Sequence, residues 1–150
     1  MLNRIPKVFL FFAFLSSPAV VAPVTAATPE DAKKLVNEAV EFYRANGKDK
    51  AFAEINNAKG KFNQGELYIF VYDKNGRVAA HGADLNQIGA DVMNLQDENG
   101  KFFGREIMKV GESGGWVDYV WTNPLTGTVQ PKRSYIILAD GFRFGCGVYR

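Results

Sequence analysis

Apolar residues at Ala32, Leu35, Val36, Ala39, Val40 and Tyr43 recur every three or four positions, the spacing of one helical face. Thr28 stands just before Pro29-Glu30-Asp31, so the helix is predicted to start with a side-chain cap, a proline preset for the first turn and two carboxylates at the positive end of the dipole. Asn46-Gly47 predicts its end. A shorter helix is expected over 49–57, burying Phe52 and Ile55. The pattern then changes. Residues 67–72, Leu-Tyr-Ile-Phe-Val-Tyr, are β-branched and aromatic and predict a strand. Asp73-Lys74-Asn75-Gly76 predicts a hairpin turn, with the returning strand at 77–81. Residues 82–100 are polar and rich in Asn, Asp and Gly, longer than most loops of a compact domain; such loops are commonly functional or disordered. Helical spacing returns over 101–110 through Phe102, Phe103, Ile107 and Val110. Strands are expected at 116–122, 132–139 and 142–149, joined by the turn residues Asn123-Pro124-Leu125-Thr126-Gly127 and by Asp140-Gly141.

The order is helix, helix, strand, strand, helix and three strands. Links of hairpin length make the sheet antiparallel. The expected fold is α+β: a five-stranded antiparallel sheet in a PAS-like layout. The long N-terminal helix covers one face and a ligand pocket lies on the other.

The N-terminus changes the picture. Arg4 and Lys7 precede the apolar run 8–15, which Ser16-Ser17-Pro18 breaks. Small residues follow, ending in Val24-Thr25-Ala26. This is the pattern of a secretory signal peptide, with cleavage expected after Ala26. A membrane anchor would need roughly 20 apolar residues, and this run is shorter. Residues 27–150 then form one exported domain, periplasmic or secreted, with no further membrane span. The leader carries two of the 18 basic residues and none of the 16 acidic ones, so the formal charge of +2 leaves with it. No basic run remains, and nucleic acid is not an expected partner. Cys146 is the single cysteine, so an intrachain disulfide is excluded; its neighbours Phe144, Gly145, Gly147 and Val148 mark it as a core thiol on a strand.

Catalytic chemistry is poorly represented. One Cys and one His exclude a Cys/His metal site by count, and Cys-x-x-Cys-His is missing. A serine triad would have to join His81 to Ser113 or Ser134, neither of which sits in Gly-x-Ser-x-Gly. Gly111-Glu112-Ser113-Gly114-Gly115 lacks the lysine of a phosphate loop. Neither an enzyme nor a cofactor is expected.

Tyr119-x-Trp121-x-x-Pro124 is followed by Pro131-Lys132-x-x-Tyr135 and by Gly145-Cys146-Gly147-Val148-Tyr149. Upstream stand Tyr72-Asp73-Lys74-Asn75-Gly76, Ala80-His81-Gly82 and Ile88-Gly89. Together, in this order, they resemble single Cache domains, extracytoplasmic sensor modules of bacterial chemoreceptors and histidine kinases. The resemblance implies a PAS-like sheet with a pocket for a small organic acid or amino acid. In receptors such domains lie between two membrane helices; here the chain departs by ending at Arg150, so signalling is expected to pass through a membrane receptor or kinase as partner.

Five residues are expected in the pocket. Tyr119 and Trp121, two apart on one strand, share a face and offer aromatic walls, although core packing is the plainer reading of Trp121. Lys132 suits a ligand carboxylate, against the plainer reading of a solvated strand-end lysine. Tyr135 follows three positions later, so strict alternation puts it opposite Lys132; either a bulge intervenes or one of the two lines the pocket. Arg133 shares the parity of Tyr135 and is the substitute cation. His81 could donate to a carboxylate or serve as a structural histidine at a strand end. Of the stripe Tyr68, Phe70 and Tyr72, one is expected to reach the pocket. The function read from these features is an exported small-molecule-binding, sensor-type domain for a small carboxylate or amino acid, acting in signal transduction or chemotaxis. A ligand-independent periplasmic interaction module is the alternative.

Overall fold

The structure, a computed structural model, describes residues 26–150. The expected signal peptide and all but the last residue of its cleavage motif lie outside the described residues.

Helix α1 spans Pro29–Asn46 and α2 spans Lys48–Ile55. The Thr28 side chain accepts from the Asp31 amide while the Asp31 carboxylate accepts from Thr28, a reciprocal cap. Gly47, at φ 81°, breaks the chain between the helices. The predicted stripe of α1 is the buried one: Ala32, Leu35, Val36, Ala39 and Val40.

Seven strands follow: β1 Asn63–Gln64, β2 Leu67–Tyr68, β3 Phe70–Tyr72, β4 Val78–His81, β5 Gly115–Thr122, β6 Val129–Ala139 and β7 Phe142–Tyr149. β1 and β2 form a small hairpin; the other five make an antiparallel sheet in the order β4-β3-β7-β6-β5. The last strand therefore lies in the middle. The predicted run 67–72 is two strands, because Ile69 leaves the ladder: its amide donates to the Phe62 carbonyl, and its carbonyl accepts from Gly82. The β1–β2 hairpin itself is not visible in the polar sequence around it. β6 begins three residues earlier than expected and pairs across Pro131, whose partner is Val120. The helix expected over 101–110 shrinks to α3, Phe103–Ile107, because the Lys101 amide is held by the Asp97 carboxylate.

The two faces of the sheet carry separate cores. On one, α1 and α2 pack over Ile69, Val71, Phe144, Cys146 and Val148. On the other lie Tyr68, Phe70, Tyr72, Val92, Phe103, Tyr119 and Ile136. The long polar segment after β4 covers this second face. It is pinned to β4 by backbone bonds among Gly76, Val78, Gly89, Ala90 and Val92. Asp97, buried, reaches the opposite edge, where its carboxylate accepts from the amide of Val120 on β5 at 3.0 Å. Burial alone would raise the Asp97 carboxyl, but donation from the Val120, Lys101 and Asn99 amides outweighs it and holds the group below its usual range. No helix among the described residues is long and apolar enough to cross a membrane.

Candidate functional site

Alternation along β6 settles the conflict between Lys132 and Tyr135. The register with β5 and β7 runs without a bulge. Ile136 belongs to the core under the long segment and Tyr135 to the core under α1. Lys132 shares the side of Ile136. Tyr135 packs against Trp116, ring centroids 5.2 Å apart, with Lys33 of α1 above it. The expectation that Tyr135 lines the pocket is thus corrected: it is a wall of the helix-side core. Arg133 shares its parity and lies by Trp116 and the exposed Asp118, 3.8 Å from that carboxylate, and is no substitute for Lys132.

On the other side β7 presents Gly145, Gly147 and Tyr149. A Cβ on Gly147 would come within 2.7 Å of Lys132 Cε and closer still to Ser134 Oγ; one on Gly145 would strike the Phe70 ring. The two glycines open a floor in the middle of the sheet, and Lys132 crosses it. It is 2 % exposed. Its Nζ donates to Tyr68 Oη at 2.7 Å and lies 4.0 Å from the Tyr68 ring centroid and 4.8 Å from that of Tyr149. No carboxylate pairs with it among the described residues. Burial pulls the amine down to about 7.

The hydroxyls around it form a directed chain. Tyr149 donates to the Thr122 carbonyl at 2.8 Å. Its oxygen is then the acceptor for Tyr68, 3.2 Å away, and Tyr68 in turn accepts from Lys132. Tyr119 bonds Ser134 at 2.9 Å and stacks on Phe103 at 4.7 Å, with the Trp121 edge against the same ring. His81 lies 5.0 Å from Tyr68, ring to ring. Its Nδ1 accepts from the Asp84 amide at 2.9 Å, which leaves the ring proton on Nε2 in the neutral imidazole. Burial, reinforced by Lys132 and opposed by Asp84, pulls its pKa down to about 4. Asn56, at the end of α2, holds the His81 amide.

Four of the five expected residues, His81, Tyr119, Trp121 and Lys132, therefore meet on one face. All three aromatics of the 68–72 stripe, not one of them, line a cavity on this face with His81, Tyr119 and Trp121, while Lys132 lies behind Tyr68 and does not line it. The cavity's inner part measures about 10 Å³, close to the space of a single water, between Tyr68, Phe103, Tyr119 and Trp121. Past Tyr68, His81, Gln87 and Trp121 it meets an outer groove of about 390 Å³, bordered by Asp84 and Asn123. A larger and more open groove, about 540 Å³, lies between α2 and the turns at Asn75 and Gly141. It is shallow and borders no buried polar side chain, whereas the Lys132 face gathers His81, Lys132 and Ser134. Phe103, which lines the inner cavity, and Tyr149, which bonds Tyr68 beside Lys132, are not among the expected residues. Tyr149 shares parity with Gly145 and Gly147, and alternation alone would have found it.

The sequence and the fold have counterparts. The "Sensor histidine kinase MctS" of Rhizobium johnstonii is 31% identical over 85 residues, 55% of this chain, which spans 18% of that kinase's length. The fold matches that of a methyl-accepting chemotaxis protein from Vibrio parahaemolyticus, with a TM-score of 0.68, 22% identity and coverage of 80% of this chain and 86% of the other. It also matches a Cache chemosensory domain described for carboxylic acid recognition, with a TM-score of 0.59, 22% identity and coverage of 80% and 86%. Cache sensor domains of this kind are extracytoplasmic ligand-binding modules of signal transduction. The Single Cache domain 2 family matches residues 24–148, and the chain belongs to that family.

Proposed function

We propose that this domain is exported and binds a small carboxylate between Lys132 and the aromatic wall of Tyr68, Tyr119 and Trp121, passing the signal to a membrane receptor or kinase. The observation that carries this reading is the buried Lys132 amine, which no carboxylate among the described residues pairs. Sealing a cation away from water costs several kcal/mol unless an anion joins it, and the described residues supply none. A ligand carboxylate would complete the pair, with the neutral His81 positioned to donate beside it. The inner cavity is too small for such a ligand as it stands, so Tyr68 or Trp121 must swing toward the outer groove on entry. Carboxylic acid recognition by a neighbour of the same fold supports the choice of ligand class. An amino acid shares the carboxylate; its ammonium would face the outer groove, where Asp84 lies.

A thermal-shift screen against short carboxylates and amino acids tests this. A compound present at about 100 times its dissociation constant adds roughly 2.7 kcal/mol, a rise of several degrees. Lys132→Ala and Tyr119→Ala should each abolish the shift; if both bind like the parent, the site lies elsewhere.

The second reading, a ligand-independent interaction module, rests on one observation. The large apolar side chains most exposed among the described residues, Leu85, Ile88, Leu125 and Val129, stand on the two segments that border the outer groove or directly beside them. A membrane protein captured equally with and without carboxylates would favour it.

A further inference from the structure

Lys132 is the only Lys or Arg side chain buried among the described residues, and its hydrogen-bond partner is a neutral hydroxyl. The groups facing it leave little to hold a positive charge. Tyr68 from β2, Tyr119 from β5 and Tyr149 from β7 are all pushed up by burial and stay neutral. His81 from β4 is neutral above about 4. Cys146, on the far face of β7, is pushed up to about 12. Glu66, in the β1–β2 turn, favours the charged amine from a distance, and Asp84 lies beyond His81. The ring faces of Tyr68 and Tyr149 attract a cation, but they do not replace its lost water. Lys132 lines neither the inner cavity nor the outer groove: Tyr68 stands between them, and at 2 % exposure Nζ has no open path to a counter-ion.

Building on the carboxylate reading, we propose that the site takes up an anion and a proton together: a carboxylate settling on Lys132 draws one proton from solvent onto Nζ. The lone pair of the free amine accepts that proton, the resulting ammonium pairs with the carboxylate, and no bond in the ligand breaks. The domain then reports the acid, anion plus proton, and not the anion alone.

Burial holds the Lys132 amine near 7, and a bound anion raises that value. Below the free value the amine is already charged and binding takes up little. Above it, each pH unit lowers the affinity about tenfold, until the pKa of the bound state is reached.

Titration calorimetry of the purified protein with acetate, propionate and lactate tests this, in phosphate and in Tris, from pH 6 to 9. The expected result is an affinity that falls about tenfold per unit above pH 7. The heats should also differ between the buffers at pH 8.5 by close to the difference between the two buffers' ionisation enthalpies for one proton, and agree at pH 6. A constant affinity with the same heat in both buffers would overturn proton uptake and leave the carboxylate reading in place. No heat and no thermal shift with any of the three acids at pH 6, where the amine is charged, would overturn both.

Discussion

The two faces of the sheet are built from the same strands, yet they solve different problems. On the helix face, Leu35 and Val36 of α1 pack on Ile69, Val71, Phe144 and Val148, and the aromatic group Tyr43, Phe52, Phe142 and Phe144 closes one end. That face is almost wholly apolar. On the cavity face the buried side chains include Lys132, His81, Ser134 and three tyrosines, Tyr68, Tyr72 and Tyr119. Two glycines on β7 leave space there that a side chain would otherwise fill. One face is optimised for packing; the other buries an amine that no carboxylate pairs, an arrangement that costs stability whether the group is held neutral or charged.

The contrast predicts opposite outcomes for two substitutions. Phe144→Ala removes a fully buried ring between α1, α2 and β3 and should cost about 3–5 kcal/mol in urea unfolding. Carboxylate affinity, measured under conditions where the variant is folded, should stay within a few-fold of the parent. Lys132→Met removes the buried amine at similar volume. Its unfolding free energy should equal or exceed the parent's, while the carboxylate-induced thermal shift disappears. A Lys132→Met protein that unfolds several kcal/mol more easily would mean that the lysine is structural and the contrast is wrong.

Acid should attack the cavity face first. The folded pKa of His81, about 4, lies below the ordinary 6.5, so the unfolded chain takes up this proton more readily. The stability His81 lends is fully present above pH 6.5 and is lost as pH falls toward 4, up to about 3 kcal/mol. His81→Gln should flatten this part of the pH–stability curve measured by urea unfolding. An unchanged acid slope would show that His81 is solvated in the folded protein.

Period and parity made much of this legible in sequence. The α1 stripe, the Asn75-Gly76 hairpin and the antiparallel sheet follow from local patterns of apolar and turn residues. The meeting of His81, Tyr119, Trp121 and Lys132 is a different matter. It depends on β7 inserting between β3 and β6, a pairing across half of the chain that no window contains. The resemblance to Cache domains supplied it. Tyr135 misled for the same reason: the motif groups it with Lys132, while alternation separates them. The segment after β4 was legible only as long and polar. Its order comes from backbone bonds to β4 and from the reach of Asp97 to β5, which leave no periodic trace.

Gly147→Ala sharpens the comparison at lower cost. The new methyl would press on Ser134 Oγ and Lys132 Cε; the lysine stem can bend, but Ser134 is fixed by its bond to Tyr119. About 1–3 kcal/mol of destabilisation is expected, with weaker carboxylate binding because Nζ is displaced. Val148→Ala, one residue away on the helix face, should lower stability without touching affinity. Equal effects of both on affinity would mean that the strand, and not its face, sets the site.

The smallest effect should come from the cap of α1. Thr28→Ala removes the acceptor for the Asp31 amide and half of the reciprocal bond, at a cost of about 1 kcal/mol. α1 packs on β6 and β7 from the side opposite Lys132, so fraying its first turn loosens the helix-face core around Ala32 and leaves the Tyr68–Tyr149–Thr122 chain intact. Carboxylate affinity should therefore be unchanged while the unfolding midpoint falls. If affinity falls with it, the first turn of α1 is coupled through the sheet to Lys132, and the two faces act as one unit.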